Sequence, residues 1–325
     1  MEDHLHPPLV LIIVENPLHQ YFLSLLPLLQ KYIIMGFKGI YRNKSSASKI
    51  GIFFLLIITS VILHTLVAVA LIFFFVNNGL EIIQNQDLNN QTSVNYLKLM
   101  QLFSGIGLFI TPTLLYAYLT DFNFKFVRIS RQNTILVIAI MMLITPFIIL
   151  LLEWNMKIPL PEWLLRFDIN SEAIVEAFLK MNNIWDLLYT LIVIAVVPSI
   201  GEELLFRGYL QQKLFNWLKT PSIAIVITAF LFSAIHLDFQ GIIPRFVLGL
   251  LLGYLYYWSG SLWLPILAHF VNNTQAVTFS YFLSGVKSDS HSILSDINAA
   301  LALVSFLSVA LLIYILYQNL SIKKG

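Results

Sequence analysis

Long apolar runs alternate with short polar segments along most of the chain. Eight such runs stand out, at 51–76, 97–119, 134–152, 185–205, 221–240, 242–258, 261–282 and 295–317. A helix of about 20 apolar residues is long enough to cross the hydrocarbon core of a bilayer. The pattern therefore predicts an all-α fold, a polytopic membrane helix bundle of about eight transmembrane helices within residues 51–320. The longest polar connections are 77–96 and 153–184.

The first 50 residues do not follow this pattern. The stretch Tyr21–Phe37 is apolar, but Pro27 lies in its middle and Gln30 and Lys31 interrupt it. A helix with polar residues placed in this way typically lies along the membrane surface rather than crossing it. Residues 1–50 are therefore predicted to form an N-terminal cytoplasmic or interfacial segment.

Composition supports the membrane assignment. Of the 325 residues, 58% are hydrophobic and only 11% are charged, whereas soluble domains carry about 25% charged residues. The net charge of +2 gives no indication of a nucleic-acid partner. The absence of cysteine excludes disulfides, zinc sites made of thiolates and a cysteine nucleophile.

The basic residues predict an orientation. If the N-terminus is cytoplasmic, 13 of the 19 lysines and arginines fall on the cytoplasmic side. They are Lys31, Lys38, Arg42, Lys44, Lys49, Lys125, Arg128, Arg131, Arg207, Lys213, Lys219, Lys323 and Lys324. Positive charge accumulates in cytoplasmic loops. We therefore expect an even number of spans with both termini in the cytoplasm.

Ionisable side chains inside a membrane span are costly and point to function. The fourth apolar run ends in Glu202 and Glu203, and Arg207 follows. Glu203 and Arg207 are four residues apart, so they share a helix face and can pair, while Glu202 lies about 100° away. Two close carboxylates in a low dielectric do not both ionise cheaply, which favours one of them as a general base. The alternative is a solvated helix end with no chemical role.

Two further pairs of polar or aromatic residues lie in apolar runs. His236 follows Phe232 by one helical turn, and His269 precedes Asn273 by one turn. A lone histidine such as His236 is more often a hydrogen-bonded packing residue than a catalytic one. His269 and Asn273 alone are equally typical of hydrogen bonds between membrane helices. Asn272 is predicted to point to another face of its helix than His269 and Asn273.

His64 is a separate case in the first apolar run. Only Thr65 lies beside it, and no second polar group of matching depth accompanies it. We interpret His64 as a packing residue or as the donor of a local hydrogen bond. The histidines at 4, 6, 19 and 291 lie outside the apolar runs and indicate no site.

Helix geometry predicts that the separate motifs meet. A turn is expected at Thr220, with Glu203 17 residues before it and His236 16 residues after it. At about 1.5 Å per residue, both rise about 25 Å from this turn, provided that the fourth helix continues past the glutamates. His269 and Asn273 lie roughly 14 and 20 Å into the seventh predicted helix, which can bring them to the same depth.

The three motifs together resemble the CAAX protease and bacteriocin-processing family, also called the Abi family. The family pattern is EExxxR, then FxxxH, then HxxxN. In this chain the pattern stands as Glu202-Glu203 with Arg207, Phe232 with His236, and His269 with Asn273. The resemblance covers roughly residues 185–280, and no motif position departs from the pattern. The N-terminal third resembles no family.

The resemblance implies an eight-helix membrane fold and a metal-independent endopeptidase of the glutamate type, with its site facing the cytoplasm. Members of the family include the endopeptidases that trim prenylated CAAX proteins, and some bacterial members are linked to bacteriocin self-immunity. For this chain it implies a membrane-associated peptide or protein as substrate, no cofactor, and location in a bacterial cytoplasmic membrane.

The resemblance also implies roles for individual residues. The catalytic set is Glu202, Glu203, His236, His269 and Asn273, with structural support from Arg207 and Phe232. Glu202, with help from His236, would activate a water to attack the scissile carbonyl. His269 and Asn273 would stabilise the tetrahedral oxyanion as hydrogen-bond donors. Glu203, paired with its arginine, would orient the helix.

Two other functions remain open. A zinc hydrolase would use Glu203, His236 and His269 as ligands and leave a fourth position open, although the HExxH signature of zinc proteases is absent. A non-catalytic membrane scaffold or immunity protein would keep the same motifs as structure. Activity that is lost to a chelator and restored by zinc would identify the first.

Overall fold

The computed structural model describes residues 36–76, 78–85, 87–283 and 299–321. Within these ranges the chain is helical and contains no strand, which confirms the all-α prediction. The helices, numbered here in chain order, are α1 (Ser46–Phe75), α2 (Gly79–Asn85), α3 (Gln91–Thr120), α4 (Arg131–Leu143), α5 (Thr145–Met156), α6 (Glu162–Leu179), α7 (Ile184–Leu218), α8 (Pro221–Ala234), α9 (Ile242–Ser259), α10 (Trp263–Leu283) and α11 (Ala299–Ser321). The interfacial helix predicted at Tyr21–Phe37 lies outside the described residues except for its last two positions.

Each of the eight apolar runs contains one helix or, in one case, two. Five helices, α1, α3, α7, α9 and α11, are long and apolar enough to cross a membrane. The pair α4–α5 adds a sixth span if it is taken as one element with a bend of 41°. Pro146 lies at this break, where its missing N–H interrupts the helical hydrogen bonds. The protein is thus a multi-pass membrane bundle, and the count of eight spans stays a prediction.

Two helices lie in polar connections where the sequence pattern indicated none. The helix α2 lies within 77–96, and α6 fills much of 153–184. Near the end of α6, Ala177 and Phe178 are buried against Val94 and Val193 of α3 and α7. This packing anchors α6 across the bundle despite the polar residues at its other positions.

Wide π-helical turns interrupt α3 at Ile106–Ile110 and α7 at Leu191–Val196 and Leu204–Gln211. Pro112 and Pro198 follow the first two turns closely. A proline has no N–H, so the carbonyl four residues earlier loses its α-helical partner, and the backbone adjusts locally. Such turns are rare and occur frequently at functional sites.

Glycines allow the helices around α7 to approach closely. A Cβ added at Gly201 of α7 would lie 2.8 Å from the Cβ of Phe109 in α3. At Gly249 of α9, an added Cβ would lie 3.1 Å from the Cα of Ala229 in α8. Small residues at such crossings let membrane helices pack backbone to backbone. As a result, α3 and α7, and α8 and α9, pack closely around the motif residues.

Candidate active site

The helical hairpin α7–α8 has the geometry that the sequence predicts. The helix α7 continues past the glutamates to Leu218, and Lys219 ends it in the left-handed conformation with φ 59°. Proline is favoured at the first position of a helix, and α8 begins at Pro221. The hairpin therefore brings the Glu202 carboxylate and the His236 ring to one level, as the residue count predicts.

The predicted pair between Glu203 and Arg207 is present and fully buried. Arg207 Nη1 donates to Glu203 Oε1 at 2.6 Å, and both side chains are 0% exposed. Arg207 Nη2 donates to the carbonyl of Gly249 in α9 at 3.0 Å. The guanidinium also lies over the ring of Phe232, 4.5 Å from its centroid. Arg207 therefore joins α7, α8 and α9 around one carboxylate.

His269 forms a hydrogen bond with Glu203 and faces Glu202. Its Nδ1 lies 2.9 Å from Glu203 Oε1, the oxygen that also accepts from Arg207. Because this carboxylate is paired with a guanidinium, it acts as the acceptor, and we assign the proton of this hydrogen bond to Nδ1. The other ring nitrogen, Nε2, then faces Glu202, 4.0 Å from its Oε2.

The carboxylate of Glu202 lies between two histidine rings. Its Oε2 is 3.8 Å from His236 Nε2 and 4.0 Å from His269 Nε2. This oxygen is buried and has no hydrogen-bond partner among the described residues. His236 Nδ1 donates to the carbonyl of Phe232 at 2.8 Å, which leaves Nε2 as the nitrogen that faces Glu202. Glu202 Oε2, His236 Nε2 and His269 Nε2 thus face one another at distances too long for direct hydrogen bonds.

Phe232 holds the two histidines in place. Its ring packs edge-on against His236 and His269, with centroids 5.2 and 5.7 Å apart. It also supplies the backbone carbonyl that accepts from His236. Phe232 thus contacts both histidines, and its structural role stays a prediction.

Asn273 connects α10 to the proline-distorted part of α7. Its Nδ2 donates to the carbonyl of Ile194 at 2.9 Å, the group that loses its helical partner because Pro198 has no N–H. Asn272 donates to Asn273 Oδ1 at 3.2 Å, and both line the same cavity. Asn272, which was predicted to point to another face of the helix, also lines this cavity, because the cavity is wide enough to be bordered by both asparagines.

A cavity of about 580 Å³ lies beside these residues. Its polar side chains include those of Glu202, His236, His269, Asn272 and Asn273. Most of the remaining lining is apolar and comes from α3, α6, α7 and α9, including Leu108, Phe109, Ile174, Val175, Phe178, Val193, Leu248 and Leu252. The helix α6 therefore forms one wall of the cavity, which the sequence pattern did not indicate.

Arg245 also lines this cavity and was not among the predicted site residues. It forms an ion pair with Asp238 across the loop between α8 and α9. In the sequence it is one of the six basic residues outside the set of 13 assigned to the cytoplasmic side. An arginine in the first turn of an apolar helix is itself a signal of a functional position.

The residues proposed as alternative zinc ligands do not converge on one point. Glu203 Oε1 is occupied by Arg207 and by His269 Nδ1, and His236 faces Glu202 instead. Across the described ranges, no group of three or more histidine, aspartate or glutamate side chains has the spacing to hold a metal ion. Glu203, His236 and His269 therefore do not share one position in this structure, and metal dependence stays a question for the chelator experiment.

Two other ionisable residues inside membrane helices connect neighbouring helices. His64 Nδ1 donates to the carbonyl of Ser60 at 2.8 Å, and Nε2 lies 3.2 Å from Thr111 Oγ1 of α3. This agrees with the local hydrogen bond predicted for His64. Lys98, which the sequence analysis did not single out, is fully buried and donates to Thr190 Oγ1 at 2.8 Å.

Comparisons with known proteins support the resemblance. Residues 184–275 match the family described as Type II CAAX prenyl endopeptidase Rce1-like, and this range contains all three motifs. The chain is 29% identical over 91 residues to the membrane-embedded CAAX protease MroQ of Staphylococcus aureus (strain USA300), which is 26% of this chain and 37% of that protein. The family resemblance is therefore confirmed for this part of the chain.

Two uncharacterised bacterial proteins are also similar. One is an uncharacterised 24.3 kDa protein of Escherichia coli, 31% identical over 115 residues, or 34% of this chain and 52% of the relative. The other is YpbD of Bacillus subtilis (strain 168), 32% identical over 85 residues, or 25% of this chain and 40% of the relative. The chain thus spans about half the length, or less, of the curated relatives it matches. No solved structure matches the chain.

Proposed function

We propose that this protein is an intramembrane endopeptidase, similar to the CAAX proteases, that hydrolyses a peptide bond with a water activated by Glu202 and His236. The observation that carries the proposal is the position of Glu202 Oε2, buried and facing the Nε2 atoms of His236 and His269 inside one cavity. The family match over residues 184–275 supports peptidase chemistry at this position.

The spacing of the three atoms suits a nucleophilic water. Separations of 3.8 and 4.0 Å are too long for direct hydrogen bonds, but one water can bridge groups at such distances. Glu202 Oε2 and His236 Nε2 both accept hydrogen bonds, so they can take the two hydrogens of that water. Its lone pairs then remain free for the carbonyl carbon, and Glu202 receives the proton as the bond forms.

The oxyanion would be stabilised from α10. His269 holds its Nδ1 proton against Glu203, so it donates to an oxyanion through Nε2 when the ring is protonated. Asn273 uses one amide hydrogen for Ile194 and has a second to offer. Preorganised donors of this kind stabilise the charge that develops in the transition state.

The cavity indicates the class of substrate. Most of its lining is apolar and comes from helices of the membrane bundle, and the proposed catalytic groups line it as well. A membrane-associated peptide or protein can place an apolar segment against the apolar side chains and a backbone carbonyl beside the catalytic groups. The matching relatives are bacterial, which supports location in a bacterial cytoplasmic membrane. The asymmetry of the basic residues supports an orientation with both termini in the cytoplasm.

The proposal is tested with purified protein in liposomes and a fluorogenic peptide. Glu202→Gln keeps the shape of the side chain and removes the base, so the rate should fall about 10²–10⁴-fold while the protein folds normally. Glu176→Gln is the matched control, because Glu176 lies on α6 with a side chain that is 71% exposed. Near-normal turnover by Glu202→Gln would show that another group is the base.

A second arm separates the alternatives. Incubation with a chelator should leave the rate unchanged; loss of activity that zinc restores would favour the zinc hydrolase. Candidate substrates are identified by terminal-peptide mass spectrometry, which compares the membrane proteins of deletion and complemented strains. If neither the wild type nor Glu202→Gln cleaves the peptides found in this way, the protein is a non-catalytic scaffold or immunity protein.

A further inference from the structure

Residues 235–241, called here the α8–α9 connection, carry one of the proposed catalytic groups. Helix α8 ends at Ala234, and His236 lies in the turn that follows it. The Nε2 atom of His236 faces Glu202 Oε2 at 3.8 Å. The position of this ring therefore depends on how the α8–α9 connection is held.

The backbone of the connection adopts an unfavourable conformation directly after His236. Leu237 has φ 51°, in the left-handed region that residues other than glycine rarely adopt. Such conformations persist where surrounding contacts enforce them, and they cluster at active sites. Contacts from neighbouring elements are therefore needed to keep the connection on its path.

Asn155 of α5 supplies two of these contacts from a buried position. Its side chain is 1% exposed. Its Nδ2 donates to the carbonyl of Phe239 at 3.0 Å, and its Oδ1 accepts from the backbone N–H of Ile243 at 2.7 Å. One partner can only accept and the other can only donate, so together they fix the orientation of the amide. The side chain thus bridges the connection and the first turn of α9.

The contact to Ile243 replaces a missing helix cap. The first N–H groups of a helix have no partner within the helix, and the side chain of the preceding residue often accepts from the second or third of them. Gly241 occupies this position before α9 and forms no side-chain cap. Asn155 Oδ1 accepts from the second N–H of α9 in its place.

Two other links close the connection on itself. Ser233 Oγ donates to the carbonyl of Ile242 at 2.7 Å, and Asp238 forms its ion pair with Arg245. Both links join α8, the connection and α9 with one another. Asn155 instead ties the connection to a different helix of the bundle, and it does so three residues after His236.

We propose that Asn155 is a positioning residue of the peptidase, which holds the α8–α9 connection against α5 so that His236 and Glu202 can contact the same water. This inference rests on the proposed function. Asn155 is not among the residues that line the catalytic cavity, so it acts through the backbone of the connection and does not touch the substrate. A displacement of about 1 Å at a catalytic group can lower the rate about 10²-fold.

The first measurement is amide hydrogen exchange of the full-length protein in detergent, followed by mass spectrometry. In Asn155→Ala, peptides that cover 235–245 should exchange about tenfold faster than in the wild type, the factor expected from the loss of one or two buried hydrogen bonds. Asn133→Ala is the matched control. Asn133 is 2% exposed on α4, and its Oδ1 accepts from Asn319 of α11, so exchange over 235–245 should stay unchanged.

The second measurement is peptide cleavage in liposomes, at a temperature at which every variant is folded. Asn155→Ala should lower kcat about 10–100-fold and change KM less than about twofold, because the lining of the cavity stays intact. Asn133→Ala should keep both constants. Asn155→Ser retains one polar group but is too short to reach both partners, so its kcat and exchange should be intermediate. It takes the place of the alanine variant if that variant does not fold.

Three results would overturn the proposal. Faster exchange with an unchanged kcat would show that Asn155 only caps α9. A lower kcat without faster exchange would show that Asn155 acts by a route other than the connection, and a higher KM at constant kcat would assign it to substrate binding. If the wild type cleaves no peptide, the proposed function and the positioning role fail together, whereas the exchange measurement still decides whether Asn155 holds the connection.

Discussion

Removal of the Arg207 side chain tests the balance of buried charge directly. In Arg207→Ala, the carboxylate of Glu203 keeps its burial but loses the donor at 2.6 Å. The carbonyl of Gly249 and the face of the Phe232 ring lose their contacts as well. Bulk water cannot replace these lost contacts, because the side chains of both Glu203 and Arg207 are 0% exposed.

The expected loss of stability is large. Truncating one member of a buried ion pair costs about 3–5 kcal/mol, because it leaves an uncompensated charge. In a protein of this size the change should lower the midpoint of thermal unfolding by on the order of 10 °C. The double variant Arg207→Met with Glu203→Gln removes both charges and keeps the volume, so it should recover most of the stability lost by Arg207→Ala.

The assay follows thermal unfolding of purified protein in detergent by tryptophan fluorescence, with the yield of monodisperse protein as a second measure. Activity of all variants is recorded in parallel. If Arg207→Ala unfolds at the wild-type temperature and loses only its activity, Arg207 acts on the transition state instead. An equally unstable double variant would show that the contacts to Gly249 and Phe232 matter more than the charge of Glu203.

Three further predictions use other parts of the structure. Gly201→Ala would place a Cβ 2.8 Å from a side chain of α3 and should cost about 1–3 kcal/mol in thermal unfolding, whereas Gly51→Ala, with nothing within 4 Å, should be neutral or slightly stabilising. Asn273→Ala should slow peptide cleavage about 10²–10³-fold; an unchanged rate would limit this residue to its structural hydrogen bond. Reporter fusions at Gly325 and within 77–96 should give opposite signals, and identical signals would contradict the predicted orientation.

The sequence could predict those contacts that depend only on the number of residues between two positions on a helix or on the two arms of a hairpin. The pairing of Glu203 with Arg207 follows from four-residue spacing, and it is observed. The shared depth of Glu202 and His236 follows from the number of residues on each side of the turn, because the rise per residue of an α-helix is nearly constant.

The parts that depend on helix rotation and on tertiary packing could not be predicted. The hydrogen bond between His269 and Glu203 joins residues 66 positions apart, and their spacing says nothing of the direction in which each helix faces. The π turn that begins at Leu204 changes that direction further. The apolar residues of α6 are separated by polar ones, so the sequence shows no continuous apolar run at this helix.

The arrangement also explains why two adjacent glutamates can differ in role. Arg207 balances Glu203. In the proposed mechanism His269 carries a proton on both ring nitrogens and balances Glu202, so the four groups together carry no net charge. In the proposed reaction, the proton of the attacking water moves to Glu202 while a negative charge appears on the oxyanion, beside His269. The negative charge thus changes position, but the net charge of the buried cluster stays at zero. Because a net charge inside a membrane is costly, this balance lets the reaction proceed where each carboxylate alone would be unfavourable.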